Sequence, residues 1–221
     1  PDRIALFGYA HVPWMRTHQK MIPEDKLPNV VERHAMAETA AAYLVGEGYE
    51  RVGIDHFARP EDAMAQATRA GALSRNFQGY TVDDPHALIG LGASSISRTP
   101  HGYAQNATAA GEYARRVEAE GLAVTRGLEL GDDDVIRAHV IERLMCDLRF
   151  DGRSLYDRFG LSAMPLIAEA RAICAEDRDG LLQATDTGFV VTAKGRPFAR
   201  TIAAKFDAFL NGARGRHSQA V

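Results

Sequence analysis

Arg51-Val-Gly-Ile-Asp-His-Phe57 is the stretch on which the fold turns. Val52, Ile54 and Phe57 give it an apolar body, and Asp55 and His56 a polar end. It reads as one strand of a parallel sheet, covered on both faces and carrying chemistry at its carboxyl end. Two other stretches read the same way. Arg3-Ile-Ala-Leu-Phe7 runs into a loop holding Tyr9, His11, Pro13, Trp14 and His18. His86-Ala-Leu-Ile-Gly-Leu-Gly92 runs into Ala93-Ser-Ser-Ile-Ser97. Helices are expected over 29–45, stopped by Gly46 and Gly48, over 61–70, stopped by Gly71, and over 106–120. Residues 75–80 read as irregular or strand-like. Alternating strands and helices predict βαβ units and a mostly parallel sheet. Functional residues then gather at strand carboxyl ends, here Tyr9, His11, Asp55, His56, Arg59, Ser94, Ser95 and Arg98.

The pattern changes near Gly127. Asp132, Asp133 and Asp134 suit a helix amino end, where carboxylates meet free backbone amides. That helix carries Ile136, Val140, Ile141, Leu144, Met145 and Leu148 on one face. A second, over 163–175, has Leu166, Ile167, Ala170, Ile173 and Cys174 as its stripe. Leu181-Leu182 and Phe189-Val190-Val191 flank Asp186-Thr187-Gly188 and predict a β-hairpin. Thr192 is placed to cap a last helix with Phe198, Ile202, Phe206 and Phe209 at helical spacing. The reading divides the chain into an α/β part over 1–126, a mainly helical part with a hairpin and a winged-helix outline over 127–212, and a frayed polar tail over 213–221.

Composition narrows the function. The 221 residues are 46% hydrophobic and 25% charged, enough for one or two domains with a sound core. A net charge of −3 gives no general attraction to nucleic acid or an anionic membrane. No apolar run approaches the roughly 18 residues of a membrane span, and no secretory signal opens the chain. The start at Pro1, without methionine, reads as an internal cut. Cys146 and Cys174 are the only cysteines, are expected to be buried free thiols, and suit a reducing cytoplasm. Two are too few for a three-thiolate iron–sulfur site within these residues. No H-x3-H or H-E-x-x-H spacing marks a metal site, and His34 and His139 fall on helices. His56 is the candidate for proton chemistry or hydrogen bonding, with a structural role for its segment standing beside it. Arg59, Arg75 and Arg98 suit bidentate binding of carboxylates, or pairing with surface acids. The glycines and serines of Gly90-Leu-Gly-Ala-Ser-Ser-Ile-Ser97 suit either a ligand cradle or a tight turn. Lys194, Arg196, Arg200 and Lys205 make a basic row, offset by Glu169, Glu176 and Asp177, so a packed helical unit is favoured over a nucleic-acid reader.

Five blocks recur in order: Phe7-Gly-Tyr-Ala-His-Val-Pro-Trp14, Val52-Gly-Ile-Asp-His-Phe-Ala-Arg-Pro60, Arg75-Asn-Phe-Gln-Gly-Tyr80, Gly90 to Ser97, and Gly102-Tyr-Ala-Gln-Asn106. With the helix at Val140-Ile-Glu-Arg-Leu-Met-Cys146, they resemble the oxygen-independent coproporphyrinogen III oxidases, radical S-adenosylmethionine enzymes of haem synthesis. The resemblance runs from Arg3 to about Phe209. It implies part of an open (β/α) barrel with parallel strands, then a helical domain. It implies oxidative decarboxylation of the propionates of coproporphyrinogen III to vinyl groups, giving protoporphyrinogen IX, with S-adenosyl-L-methionine, a 4Fe-4S cluster and an electron donor protein. Carried over by position, Ala10 contacts one S-adenosylmethionine, Ile96 the other by its backbone, and Phe7, Phe77 and Gln78 line the pocket. The substrate's carboxylates would meet His56, Arg59, Arg75 and Arg98. The family's Cys-x3-Cys-x2-Cys motif lies upstream of the matching region. The expectation is therefore the carboxyl-terminal half of such an oxidase, inert without an amino-terminal half, with strand 3–7 left unpaired. The alternatives are a haem-binding chaperone of the same superfamily and a regulatory winged-helix-like module without catalysis.

Overall fold

The stretch 51–57 is two strands, not one. In the computed structural model, which describes residues 1–210, the chain runs from β1 (Arg3–Ala5) through α1 (Val30–Gly46) into β2 (Glu50–Val52) and β3 (His56–Ala58). Gly53, Ile54 and Asp55 turn the chain back, and Val52 faces His56 across an antiparallel ladder. Gly53 is the cause: its φ is +55°, and a Cβ there would lie 2.1 Å from the Tyr80 ring. Parallel strands need a crossover of about a dozen residues or more. β1 also pairs antiparallel with β3, giving the order β1-β3-β2. Among the described residues, 3–5 are thus paired along one edge only.

Helices α1 and α2 (Ala63–Ala70) form close to their expected bounds. Asn29 caps α1 through a capping box with Glu32. Asp62 caps α2, and Gly71 ends it in the left-handed region. Next comes the antiparallel hairpin of β4 (Ser74–Asn76) and β5 (Gly79–Thr81), where Asn76 Oδ1 accepts from the Gln78 N–H at 2.8 Å. The strand expected over 86–92 is absent apart from one bridge, Leu88 to Arg98. Its apolar residues lack the cover a central strand needs, Ile89 being 66% and Leu91 86% exposed, and Gly92 and Ser94 take positive φ.

β6 (Ile96–Thr99) and β7 (Gly102–Asn106) form another hairpin, followed by α3 (Ala110–Glu120) and β8 (Val124–Glu129), which sequence reading missed. The helix expected from 106 starts at Ala110 because Asn106 stays in β7, where its amide bonds the Gly90 and Gly92 carbonyls and the Ser95 hydroxyl. All strand ladders among the described residues are antiparallel and fall into four small sheets with no closed barrel. That corrects the expected parallel sheet; glycine turns at Gly53 and Gly102 keep successive strands adjacent instead.

The remainder is α4 (Asp132–Asp147), β9 (Arg149–Asp151), α5 (Gly152–Phe159), α6 (Met164–Ala175), β10 (Leu182–Ala184), β11 (Gly188–Val191) and α7 (Ala199–Ala204). The aspartates open α4 as read, with Asp134 accepting from the Gly131 N–H. The hairpin forms where expected and recruits β9, in the order β10-β11-β9. Neither β9 nor α5 was foreseen. Ile136, Val140, Leu144 and Met145 meet Leu166, Ile167, Ala170 and Ile173 in one core. Phe150 stacks between Phe189 and Phe206 at centroid distances of 5.6 and 5.9 Å. The last helix is shorter than expected, since a 3-10 turn over Arg196–Phe198 precedes it, and Phe198 and Phe209 are about half exposed. Thr192 Oγ1 accepts from the Gly195 N–H. The polar tail over 213–221 lies outside the described residues. Both cysteines are free; Cys146 is buried, and Cys174 only partly. No described helix is long and apolar enough to cross a membrane.

Candidate functional site

The β2–β3 turn presents Asp55 and His56 side by side. His56 Nδ1 lies 2.7 Å from Asp55 Oδ1. The imidazole meets the Tyr80 ring edge to face at 5.0 Å. Burial pushes the Asp55 carboxyl up, but the His56 hydrogen bond and the Arg200 charge outweigh it and hold it below its ordinary value. Arg200 pairs with the other carboxylate oxygen. Arg75 stands near enough to add to the lowering, and its guanidinium lies over Tyr80 at 5.5 Å.

Tyr80 fastens this corner to the helical region. Its hydroxyl donates to the Met145 carbonyl at 2.8 Å and accepts from the Ile54 N–H at 3.0 Å. Burial pushes the phenol up to about 12, so it stays protonated and able to donate. Arg196 donates to the Gly53 carbonyl, Arg143 to the carbonyls of Gly71 and Leu73, and the Arg75 N–H to Glu142. Two members of the basic row, Arg196 and Arg200, therefore make contacts within the molecule.

Several of the residues singled out from sequence are joined through contacts of β1, the β4–β5 hairpin and the β6–β7 hairpin. Phe7 follows β1, where the Leu6 N–H bonds the Asp55 carbonyl at 2.8 Å, and is 78% exposed. Phe77 and Gln78 form the tip of the β4–β5 hairpin, exposed beside His56. Phe77 leans on Tyr103 of β7 at 5.6 Å. Tyr103 pairs with Arg98 across the β6–β7 ladder, and Ile96 pairs with Gln105 two steps along. Ala10 is held through its carbonyl by Gln19 Nε2 at 3.1 Å, while Gln19 Oε1 accepts from the Val12 N–H. Arg98 also reaches the Pro85 carbonyl.

Arg59 does not join this group. Its guanidinium stacks over Tyr49 at 4.0 Å and donates to the Glu47 carbonyl, at the other end of β3. Sequence reading missed Arg200 and Gln19, whose partners lie far along the chain or in an irregular loop. Asn106 was quoted in a block, but its role as the clasp of the Gly90 loop was not read. His11 is engaged within its own loop, 3.3 Å from the Tyr9 hydroxyl and 3.4 Å from Glu24.

An iron–sulfur cluster finds no ligand set here. Cys146 sits in a core, its thiol pushed up to about 12 by burial, and Cys174 lies on a different helix. Among the described residues, no group of three or more His, Cys, Asp or Glu is placed to hold a metal.

Comparison with known proteins decides the relationship. Residues 130–198 match the HemN C-terminal domain. Across its whole length the chain is 46% identical to an oxygen-independent coproporphyrinogen III oxidase of Cereibacter sphaeroides, and 45% identical to one of Paracoccus denitrificans. The chain matches the carboxyl-terminal half of the oxygen-independent coproporphyrinogen III oxidases. It spans about half the length of these relatives, 48% and 49%. The solved coproporphyrinogen III oxidase of Escherichia coli, described as a radical SAM enzyme, superposes with a TM-score of 0.88 at 39% identity, over 95% of this chain and 49% of that one.

Proposed function

We propose that this chain supplies the carboxyl-terminal half of an oxygen-independent coproporphyrinogen III oxidase, which converts propionates of coproporphyrinogen III to vinyl groups in haem synthesis. The observation that carries the reading is the open face itself. Phe7, Phe77 and Gln78 are exposed and His56 lies beside Gly79 of the same hairpin, inside the blocks that sequence resemblance picks out, in a chain whose fold follows the Escherichia coli oxidase.

In this reading Phe7, Ala10, Phe77, Gln78 and Ile96 line one wall of an S-adenosylmethionine site. Aromatic side chains there would exclude water, and Gln78 would offer an amide for hydrogen bonding. Arg75 and Arg98 would receive the carboxylates of the substrate, with His56 beside them. Arg75 stands beside this corner, its guanidinium over the Tyr80 ring that also meets His56. Arg59 is omitted because one of its donors bonds the Glu47 carbonyl and its flat face lies over Tyr49. The part over 1–126 would complete a barrel with the remainder of the enzyme, covering apolar residues such as Ile89 and Leu91. The part over 127–212 would be a helical domain of winged-helix outline packed against it. The cluster and the electron donor would act through residues other than those described.

The test is a chimera. This chain replaces the matching half of the Paracoccus denitrificans relative, and the product is assayed without oxygen for protoporphyrinogen IX. Turnover that disappears when the chain is supplied alone is expected. A folded, cluster-loaded chimera that binds haem and leaves coproporphyrinogen III unchanged would sink the reading and favour a haem chaperone.

A further inference from the structure

Asp55 and His56 are adjacent in sequence, yet the residue that holds them comes from the far end of the chain. Arg200 on α7 takes one carboxylate oxygen of Asp55, and His56 Nδ1 takes the other. A carboxylate kept ionised accepts hydrogen bonds and donates none. Its partner nitrogen must therefore carry the proton, which leaves Nε2 of a neutral imidazole as a bare acceptor. The surroundings keep Nε2 accessible. Gly79 lies across from it at a φ of +138°, and a Cβ there would stand 3.6 Å from Nε2. No hydrogen bond to Nε2 exists among the described residues, and the His56 side chain keeps 21% of its surface exposed. Tyr80 cannot fill the role of partner, because its hydroxyl is committed to Met145 and Ile54.

We propose that Arg200, Asp55 and His56 form a fixed acceptor, with Arg200 as the positioning residue, and that His56 Nε2 receives an N–H or O–H donor of the ligand bound on this face. Resting on the oxidase reading, the donor class is the pyrrole N–H. A porphyrinogen carries four such donors at its centre and carboxylates only at its rim. The carboxylates are then left to arginine, and His56 reads the macrocycle. The arrangement also gives the helical region a hold, through Asp55, on the ligand-facing histidine.

The experiment is nitrogen-15 NMR of the histidine side chains in the intact chain at about pH 8, above the ordinary histidine range. His56 is assigned by its loss in His56→Gln. The expected result is protonated Nδ1 and unprotonated Nε2 in the native chain. Arg200→Gln is expected to turn this single tautomer into a mixture, and Arg200→Lys to restore it in part. Asp55→Asn provides a second perturbation of the same nitrogen. Backbone amide spectra establish that each variant is folded. A native Nε2–H tautomer, or no response to Arg200→Gln in a folded protein, overturns the arrangement whatever the chain's activity.

Coproporphyrinogen III is then added without oxygen. A shift confined to Nε2 supports the pyrrole contact. Binding that moves other residues and leaves Nε2 unchanged overturns that contact while sparing the oxidase reading. Absence of all binding in a chimera with the correct tautomer counts against the oxidase reading instead.

Discussion

The two ends of this chain spend their apolar residues differently. After Gly131, the helices and the β10-β11-β9 sheet close over one core in which Leu144, Leu166, Phe189 and Phe206 are wholly buried. Before it, burial is divided among small groups such as Val52, Met64, Leu73 and Tyr80, or Ala41, Tyr49 and Phe57. Meanwhile Phe7, Met21 and Leu91 stand open at 78%, 81% and 86% exposure. The closed end is built for stability, and the open end holds its candidate ligand residues where a ligand or further protein can reach them. The contrast is sharpest for two leucines. Leu144→Ala is expected to cost about 2–5 kcal/mol, the range for emptying a packed core site. Leu91→Ala is expected to change stability by less than about 0.5 kcal/mol, as surface substitutions do. Urea unfolding of both variants measures this, and equal losses would break the comparison.

The joint between the ends offers a smaller effect. Tyr80→Phe keeps the ring in its pocket and against His56, but removes the hydroxyl that serves both Met145 and Ile54. One buried and one partly buried backbone group lose a partner, which costs about 1–3 kcal/mol. Hydrogen exchange should quicken at the Ile54 amide before it changes in α6. Uniform acceleration through α6 would mean that the two ends unfold as one unit and that the joint has no separate identity.

How far the sequence reveals this depends on the range of the interaction that decides each element. Stop signals and stripes are local, so α1 and α2 were legible from the glycines that follow them, α4 from its three aspartates, and α6 from the spacing of Leu166, Ile167 and Ala170. Strand direction is not local. Gly53 turns the chain because the Tyr80 ring occupies the space a side chain would need, and nothing in the residues around Gly53 announces that. An apolar run broken by one glycine fits a covered strand as well as a hairpin. Residues 86–92 misled for a related reason, since Ile89 and Leu91 are apolar but exposed. In the candidate site, Asp55 and His56 were visible as polar residues ending an apolar run. Their clamp, Arg200, lies 145 residues away and looked like one more charge in a basic row. Arg59 shows the reverse error: an arginine inside a recognised block whose stacking on Tyr49 spacing cannot disclose.

The smallest expected effect is acid dependence, and it separates the two ends by pH. His139 lies half-buried on α4 against Phe159, their rings 5.5 Å apart. Burial first, then the charges of Arg158 and Arg143, push its imidazole down to about 4 from an ordinary 6.5. The unfolded chain takes up a proton there that the folded chain refuses. Stability from this residue is complete above about 6.5 and is lost as the pH falls toward 4. Asp55 is also lowered, but its ordinary value is 3.8, so its contribution persists through that interval and fails only as the pH falls below it. Urea midpoints for the native chain should therefore decline between pH 6.5 and 4, modestly because solvent screens a half-exposed group. His139→Gln should flatten the decline, and Asp55→Asn should leave its slope in place. A native slope that survives His139→Gln and vanishes in Asp55→Asn would place the acid sensitivity at the open end, contrary to the burial that sets His139 apart.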